Sequence, residues 1–156
     1  MKNPRLWGKV LYGLAGVCAV ALIMPQFRLQ IWENSQQTYL YMWGGHAKVH
    51  ASVAGSIYLI AALWGVAAVA GLFLAGRKLH QHSPTAIAWM NWAAFFIAME
   101  LIFLLTAAEE VLTDLRVMQL QADSFASWGS WTSFTVLFIL LFLPSRIKKW
   151  CFKPNE

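Results

Sequence analysis

The placement of the basic residues constrains this chain more than any other feature. Lys2, Arg5 and Lys9 precede a first apolar stretch, and Arg77 and Lys78 separate a second from a third. Arg146, Lys148, Lys149 and Lys153 follow a fourth. The two remaining connections hold the other three of the 12 Lys and Arg residues, Arg28, Lys48 and Arg116. They also hold most of the 7 acids, namely Glu33, Glu109, Glu110, Asp114 and Asp123. Basic residues in short loops are retained on the cytoplasmic side of a membrane. The alternation predicts an all-α, four-helix membrane bundle with spans over about 10–24, 51–76, 87–112 and 127–144. Both termini and the middle loop are expected in the cytoplasm, and the two acidic connections outside.

Composition agrees with that expectation. The chain is 59% hydrophobic and 12% charged, whereas soluble domains carry roughly a quarter charged residues. Four spans of about 20 residues each leave no room in 156 residues for a separate soluble domain, so 1–156 reads as one membrane domain. The net charge of +5 does not point to nucleic acid, because the basic residues flank apolar spans and line no groove. Arg146, Lys148 and Lys149 read as contacts to lipid headgroups, in the plasma membrane or a bacterial inner membrane. The first stretch has the basic start and short apolar core of a signal peptide. Met24-Pro25-Gln26 offers no small-x-small cleavage site, so it is read as a helix. Cys18 falls in the first span and Cys151 in the tail, which argues against a disulfide. Cys151, beside Lys148, Lys149 and Trp150, is either a site for S-acylation or an idle thiol.

Small residues mark where the helices should approach one another. Gly13 and Gly16 are the candidates in the first span, which Pro25 ends. In the second, Ala51/Gly55, Ala61/Gly65 and Ala67/Gly71/Ala75 stand four apart along helix faces. The fourth span ends in a nearly pure run of Leu, Ile and Phe, expected to face lipid. The first outer connection, 25–50, is different in kind. Phe27-Arg28-Leu29-Gln30-Ile31 alternates apolar and polar residues with a period of two, which signals a strand. A polar, turn-prone segment follows, then Thr38-Tyr39-Leu40-Tyr41-Met42-Trp43 with Gly44-Gly45 after it. A small extracellular β-hairpin is expected here, the alternative being an aromatic loop lying in the membrane interface. Phe27, Arg28, Trp32, Tyr39, Tyr41 and Trp43 are its candidate partner-binding residues.

Two stretches resemble the claudin and peripheral-myelin-protein superfamily of tetraspan proteins. Met24-Pro25-Gln26-Phe27-Arg28 looks like the Pro-x-aromatic-Arg segment that follows the first helix of claudins. Ser124-Phe125-Ala126-Ser127-Trp128-Gly129-Ser130-Trp131-Thr132-Ser133-Phe134 looks like the aromatic, Trp-rich start of their fourth. Trp43-Gly44-Gly45 stands where that family carries Gly-Leu-Trp, in a different order, and the family's paired loop cysteines are absent. The resemblance implies a non-enzymatic role in adhesion, barrier formation or service as an auxiliary subunit.

Few residues suggest chemistry. Glu100 lies at the centre of the third span, where an ionisable group is a functional candidate by default. Trp89 and Asp114 share its helical face. The structural alternative is a hydrogen bond to a neighbouring helix, for instance to Tyr58 or Ser56. His46 and His50 stand four apart at the outer start of the second span, a spacing that lets two imidazoles share one cation. Glu109, Glu110 and Asp114, on the same side, could complete a site for a zinc or copper ion. No cofactor is otherwise implied, and His80-Gln81-His82 reads as a solvated connector. No Ser/His/Asp set at one depth, phosphate-cradling Gly loop or CxxC is present. The favoured function is a non-enzymatic tetraspan that recognises another membrane protein, or itself as a homo-oligomer, through its outer loop and helix surfaces. Two alternatives stay open: a small oligomeric transporter or proton-coupled subunit using Glu100, and a metal-binding membrane protein using His46 and His50.

Overall fold

A computed structural model describes residues 3–32, 36–42 and 52–152. The chain is mostly helical. In order it forms α1 (Pro4–Ile23), β1 (Pro25–Ile31), β2 (Gln36–Tyr41), α2 (Ser52–His80), α3 (Thr85–Val117), β3 (Ala122–Ala126) and α4 (Trp128–Ile147). A π-helical turn, Lys148–Phe152, continues α4. Among the described residues, three helical segments are long and apolar enough to cross a membrane: Pro4–Ile23, Ser56–His80 and Trp128–Phe152. That length and apolarity are compatible with an integral membrane protein.

Local chemistry sets the helix ends. α1 begins ahead of its apolar stretch because the Asn3 side chain accepts a hydrogen bond from the Arg5 N–H at 3.0 Å, and Pro4 fits the first turn. α4 runs past Pro144, where the apolar run was expected to stop. Proline deletes one helical hydrogen bond, and the helix goes on into the π turn, which buries Cys151. Cys18 and Cys151 form no disulfide with each other, and both are buried.

A stripe of buried residues spaced three and four apart runs down each helix, the pattern by which helices share a core. On α3 it reads Ala86, Met90, Ala93, Ile97, Glu100, Leu104, Ala107, Val111 and Leu115. α3 packs on α2 and α4, and α1 packs on the same two helices, so the four close into a ring. The apolar interior falls into two clusters. One, toward the chain termini, gathers Leu11, Ala15, Leu72, Met90, Ile97, Leu140 and Ile147 among others. The other, under the sheet, gathers Leu22, Phe27, Leu29, Leu40, Tyr58, Leu104 and Leu115 among others. α4 leaves Phe134, Phe138, Leu141 and Phe142 exposed.

Close helix approach occurs elsewhere than at Gly13 and Gly16. Those two glycines face outward, and a Cβ on either would meet nothing within 4 Å. The stripe of α1 runs instead through Gly8, Leu11, Ala15 and Cys18. Gly8 is the tight contact: a Cβ there would run into the His80 ring and lie 3.1 Å from the Gly76 carbonyl oxygen. His80 is therefore not a solvated connector. It closes α2, packs edge-on to Tyr12 at 5.7 Å, and its buried Nδ1 has no hydrogen-bond partner among the described residues. His82, by contrast, is exposed.

The sheet has three antiparallel strands in the order β2-β1-β3. The expected hairpin is present, with Phe27 opposite Leu40 and Ile31 opposite Gln36. The third strand comes from the other long connection, which places Phe27 opposite Ala126 and Ile31 opposite Ala122. Phe27, Leu29 and Leu40 face the helices, while Arg28 and Tyr39 occupy the opposite face. A bulge between Pro25 and Phe27 breaks the alternation, so that Gln26 and Phe27 are both buried in succession.

Candidate functional site

Two places hold polar side chains in positions that folding alone does not require. The first is the face of the sheet turned away from the helices. Register sets Tyr39, Arg28 and Phe125 side by side across β2, β1 and β3. The Arg28 guanidinium lies over the Phe125 ring, 5.5 Å from its centroid, a cation–π contact. Toward the far end of the strands, Trp32 donates from Nε1 to an Asp123 carboxylate oxygen at 3.2 Å. Trp32, Tyr39, Phe125 and Trp128 are exposed.

Among the residues expected to meet a partner, Arg28, Trp32 and Tyr39 thus lie on or beside this face. Phe27 does not. It is 4% exposed and packs beneath the sheet, because strand alternation puts it on the same inward face as Leu29. Tyr41 is half-buried opposite Pro25, and Trp43 lies outside the described residues.

The sheet is fastened to α4 through Gln26, which is fully buried. Its Nε2 donates to the Ala21 carbonyl oxygen at 2.7 Å and to that of Met24 at 3.2 Å. Its own backbone carbonyl accepts from the Ser127 N–H at 2.9 Å and from Ser130 Oγ at 2.8 Å. Gly129 makes room for this, since a Cβ there would sit 2.6 Å from Gln26 Cδ. The two stretches that carry the claudin-like resemblance are therefore in contact, through Gln26 with Gly129 and Ser130 and through Arg28 with Phe125.

The second place is Glu100. It is 2% exposed and sits between the two apolar clusters. Ser133 Oγ of α4 donates to Glu100 Oε1 at 3.1 Å. Gly65 of α2 stands opposite, where a Cβ would lie 3.3 Å from Glu100 Oε2 and collide with Leu22 of α1. All four helices thus meet at this layer. The hydrogen-bond donor is not Tyr58, whose hydroxyl is buried without a partner among the described residues. Nor is it Ser56, which is exposed. Both lie too far toward the sheet end of α2, seven and nine residues from the layer that Gly65 marks. Trp89 and Asp114, on the same face of α3, are half-buried.

The remaining candidates separate. Glu109 and Glu110 are exposed and Asp114 is half-buried, while His46 and His50 lie outside the described residues. Among the described residues, no three His, Cys, Asp or Glu side chains come together as a cation site. Arg146, Lys148 and Lys149 are exposed at the far end of α4. Near them, Trp7 of α1 stacks on Trp150 with ring centroids 5.1 Å apart.

Sequence reasoning missed Gln26, Gly129, Ser130 and Ser133 as working residues. A signal existed for the serines and glycine, since Gly129, Ser130, Ser133 and Val136 are small or apolar at three-and-four spacing, the stripe of α4. Comparison with known protein families, curated proteins and solved structures returns no match.

Proposed function

We propose that this protein is a non-enzymatic, four-span membrane protein that recognises a partner through the sheet and its flanking helix surfaces. In this reading α3 is the fourth span, both termini and the α2–α3 connection are cytoplasmic, and the sheet lies outside. The partner is another membrane protein or a second copy of the chain. The observation that carries the reading is the sheet itself, built from strands of both long connections. One face covers the apolar cluster, and the other leaves Arg28, Trp32, Tyr39 and Phe125 as an aromatic and cationic platform. Exposed aromatics with Arg are the residue types that anchor interfaces. The claudin-like segments that meet at Gln26 and Gly129 favour the same class of role: adhesion, barrier formation or service as an auxiliary subunit.

Two experiments test this. Cysteines introduced at Ser35 and Asp123 should react with an impermeant thiol reagent on intact cells, and one at Gln81 should not. Equal reactivity at Gln81 and Asp123 would remove α3 from the membrane and overturn the topology. Purification in mild detergent should give a complex or oligomer that Tyr39→Ala combined with Arg28→Ala dissociates. A parent chain that runs alone and monomeric would overturn partner recognition.

A second reading is favoured by the enclosure of Glu100 in the layer where all four helices meet. There the carboxyl would serve proton- or cation-coupled transport by an oligomer.

A further inference from the structure

We infer that the sheet end of this protein holds one anionic phospholipid, its phosphate at Arg28 and one acyl chain between α3 and α4. Two grooves carry the inference, and they share Ala126 and Trp131. The first, about 560 Å³, lies between the sheet and the first turn of α4 and is lined by Arg28, Tyr39, Phe125, Trp128 and others. The second, about 530 Å³, runs along α3 and α4 past Leu101, Leu105, Phe134 and Leu137. Its one polar lining residue, Ser130, spends its hydroxyl on the Gln26 carbonyl, so the groove wall is apolar throughout.

Charge complementarity selects the occupant. Arg28 is half-buried, and its guanidinium lies over the Phe125 ring. Among the described residues no carboxylate pairs with it. Asp123, on the same sheet face, accepts from Trp32 instead. A planar, permanently charged guanidinium in an aromatic-walled recess matches a phosphate and offers nothing to a neutral headgroup. A soluble anion would leave the adjoining apolar groove unfilled, and a neutral lipid would bring no counter-charge to Arg28. Only a molecule with both an anion and a long chain fills the two grooves together. Trp128 and Trp131 flank their junction, and indole side chains favour the headgroup level of a bilayer.

The inference rests on the proposed membrane reading and adds lipid selectivity to it. The test uses the full chain purified in mild detergent, exposed to equal amounts of dioleoyl phosphatidylglycerol and dioleoyl phosphatidylcholine and read by native mass spectrometry. The anionic lipid should be retained about fivefold over the neutral one, the shift one basic residue near an anionic headgroup produces. Arg28→Gln should lower the ratio about fivefold from whatever value the chain with Arg28 gives in the same background, and Arg28→Lys should keep part of the preference. Lys148→Gln combined with Lys149→Gln controls for the basic cluster at the other end and should leave the Arg28-dependent preference in place. Equal retention of both lipids by the parent chain would overturn the inference whether or not any variant folds. So would a preference that Arg28→Gln leaves undiminished, or displacement of the lipid by inorganic phosphate, which would reassign the recess to a soluble anion. Failure of the cysteine-labelling topology would remove the membrane reading, whereas the lipid ratio is measured in micelles and falls on its own result alone.

Discussion

Gln26 and Glu100 are both polar, both buried and both bonded to a serine of α4, yet they are held in opposite ways. Gln26 has its partners around it: two carbonyls from the end of α1 and two donors from the start of α4 converge on its side chain and backbone. Glu100 has Ser133 across the helix interface, with a glycine on the facing helix. The first site is a joint, assembled from segments that are close in space because the chain turns there. The second is an isolated polar contact in a layer that apolar side chains would fill equally well. Buried hydrogen bonds contribute little net stability when both partners can be replaced by apolar groups, and much more when removing one strands the others. The joint should therefore be intolerant of change, and the central layer tolerant.

The largest effect is expected at Gly129. Leucine there must occupy the space of the Gln26 side chain, so it combines overpacking with broken hydrogen bonds, about 3 kcal/mol or more. Gly129→Leu should fail to give a monodisperse product in detergent or should unfold well below the parent. Gly129→Ala should fall between the two. A leucine variant with the parent's melting temperature would show that the joint repacks freely, and the contrast with Glu100 would vanish.

Gln26→Leu comes next. The leucine keeps roughly the volume but strands the Ala21 carbonyl, for a loss of about 1–3 kcal/mol. The carbonyl of residue 26 still accepts from Ser127 and Ser130, so the sheet should stay attached. A thermal shift with intact labelling at the exposed positions Tyr39 of β2 and Asp123 of β3 is the expected signature, and a loss larger than that of Gly129→Leu would reverse the proposed order.

The contrast also explains what the sequence could and could not disclose. The hairpin was legible because Phe27 to Ile31 alternates, and the helices were legible because basic residues bracket long apolar runs. β3 was not legible. Ala122-Asp123-Ser124-Phe125-Ala126 has no β-branched residue and becomes a strand by pairing with the free edge of β1, a long-range condition that no local window contains. The bulge at Gln26 has the same origin, since it exists to meet α4. The donor to Glu100 could not be chosen either. Helical periodicity places Glu100 on a face, but which hydroxyl reaches it depends on how far α4 slides past α3.

The smallest effect is expected at the central layer, and it separates the two functional readings. Glu100→Gln retains shape and can still accept from Ser133, while Ser133→Ala removes the donor and leaves a small apolar side chain. Interhelical hydrogen bonds of this kind are worth about 0.6 kcal/mol on average in helical membrane proteins. Glu100→Gln, which keeps an acceptor for Ser133, should thus stay folded with a shift near the limit of a thermal-unfolding measurement, whereas Ser133→Ala, which strands the buried Glu100 side chain, should cost more. A double-mutant cycle should return a coupling no larger than that figure. Under partner recognition, Glu100→Gln keeps the purified complex intact. Under the transport reading the same variant is equally stable but loses proton- or cation-coupled flux in reconstituted vesicles, because only the ionisable group has been removed. The geometry favours the first outcome: neither groove beside α4 includes Glu100 in its lining, and Gly65 and Leu22 close the layer from the other side. A stable Gln variant that abolishes a measurable flux would make Glu100 the working site and reduce the sheet platform to a cover for the bundle.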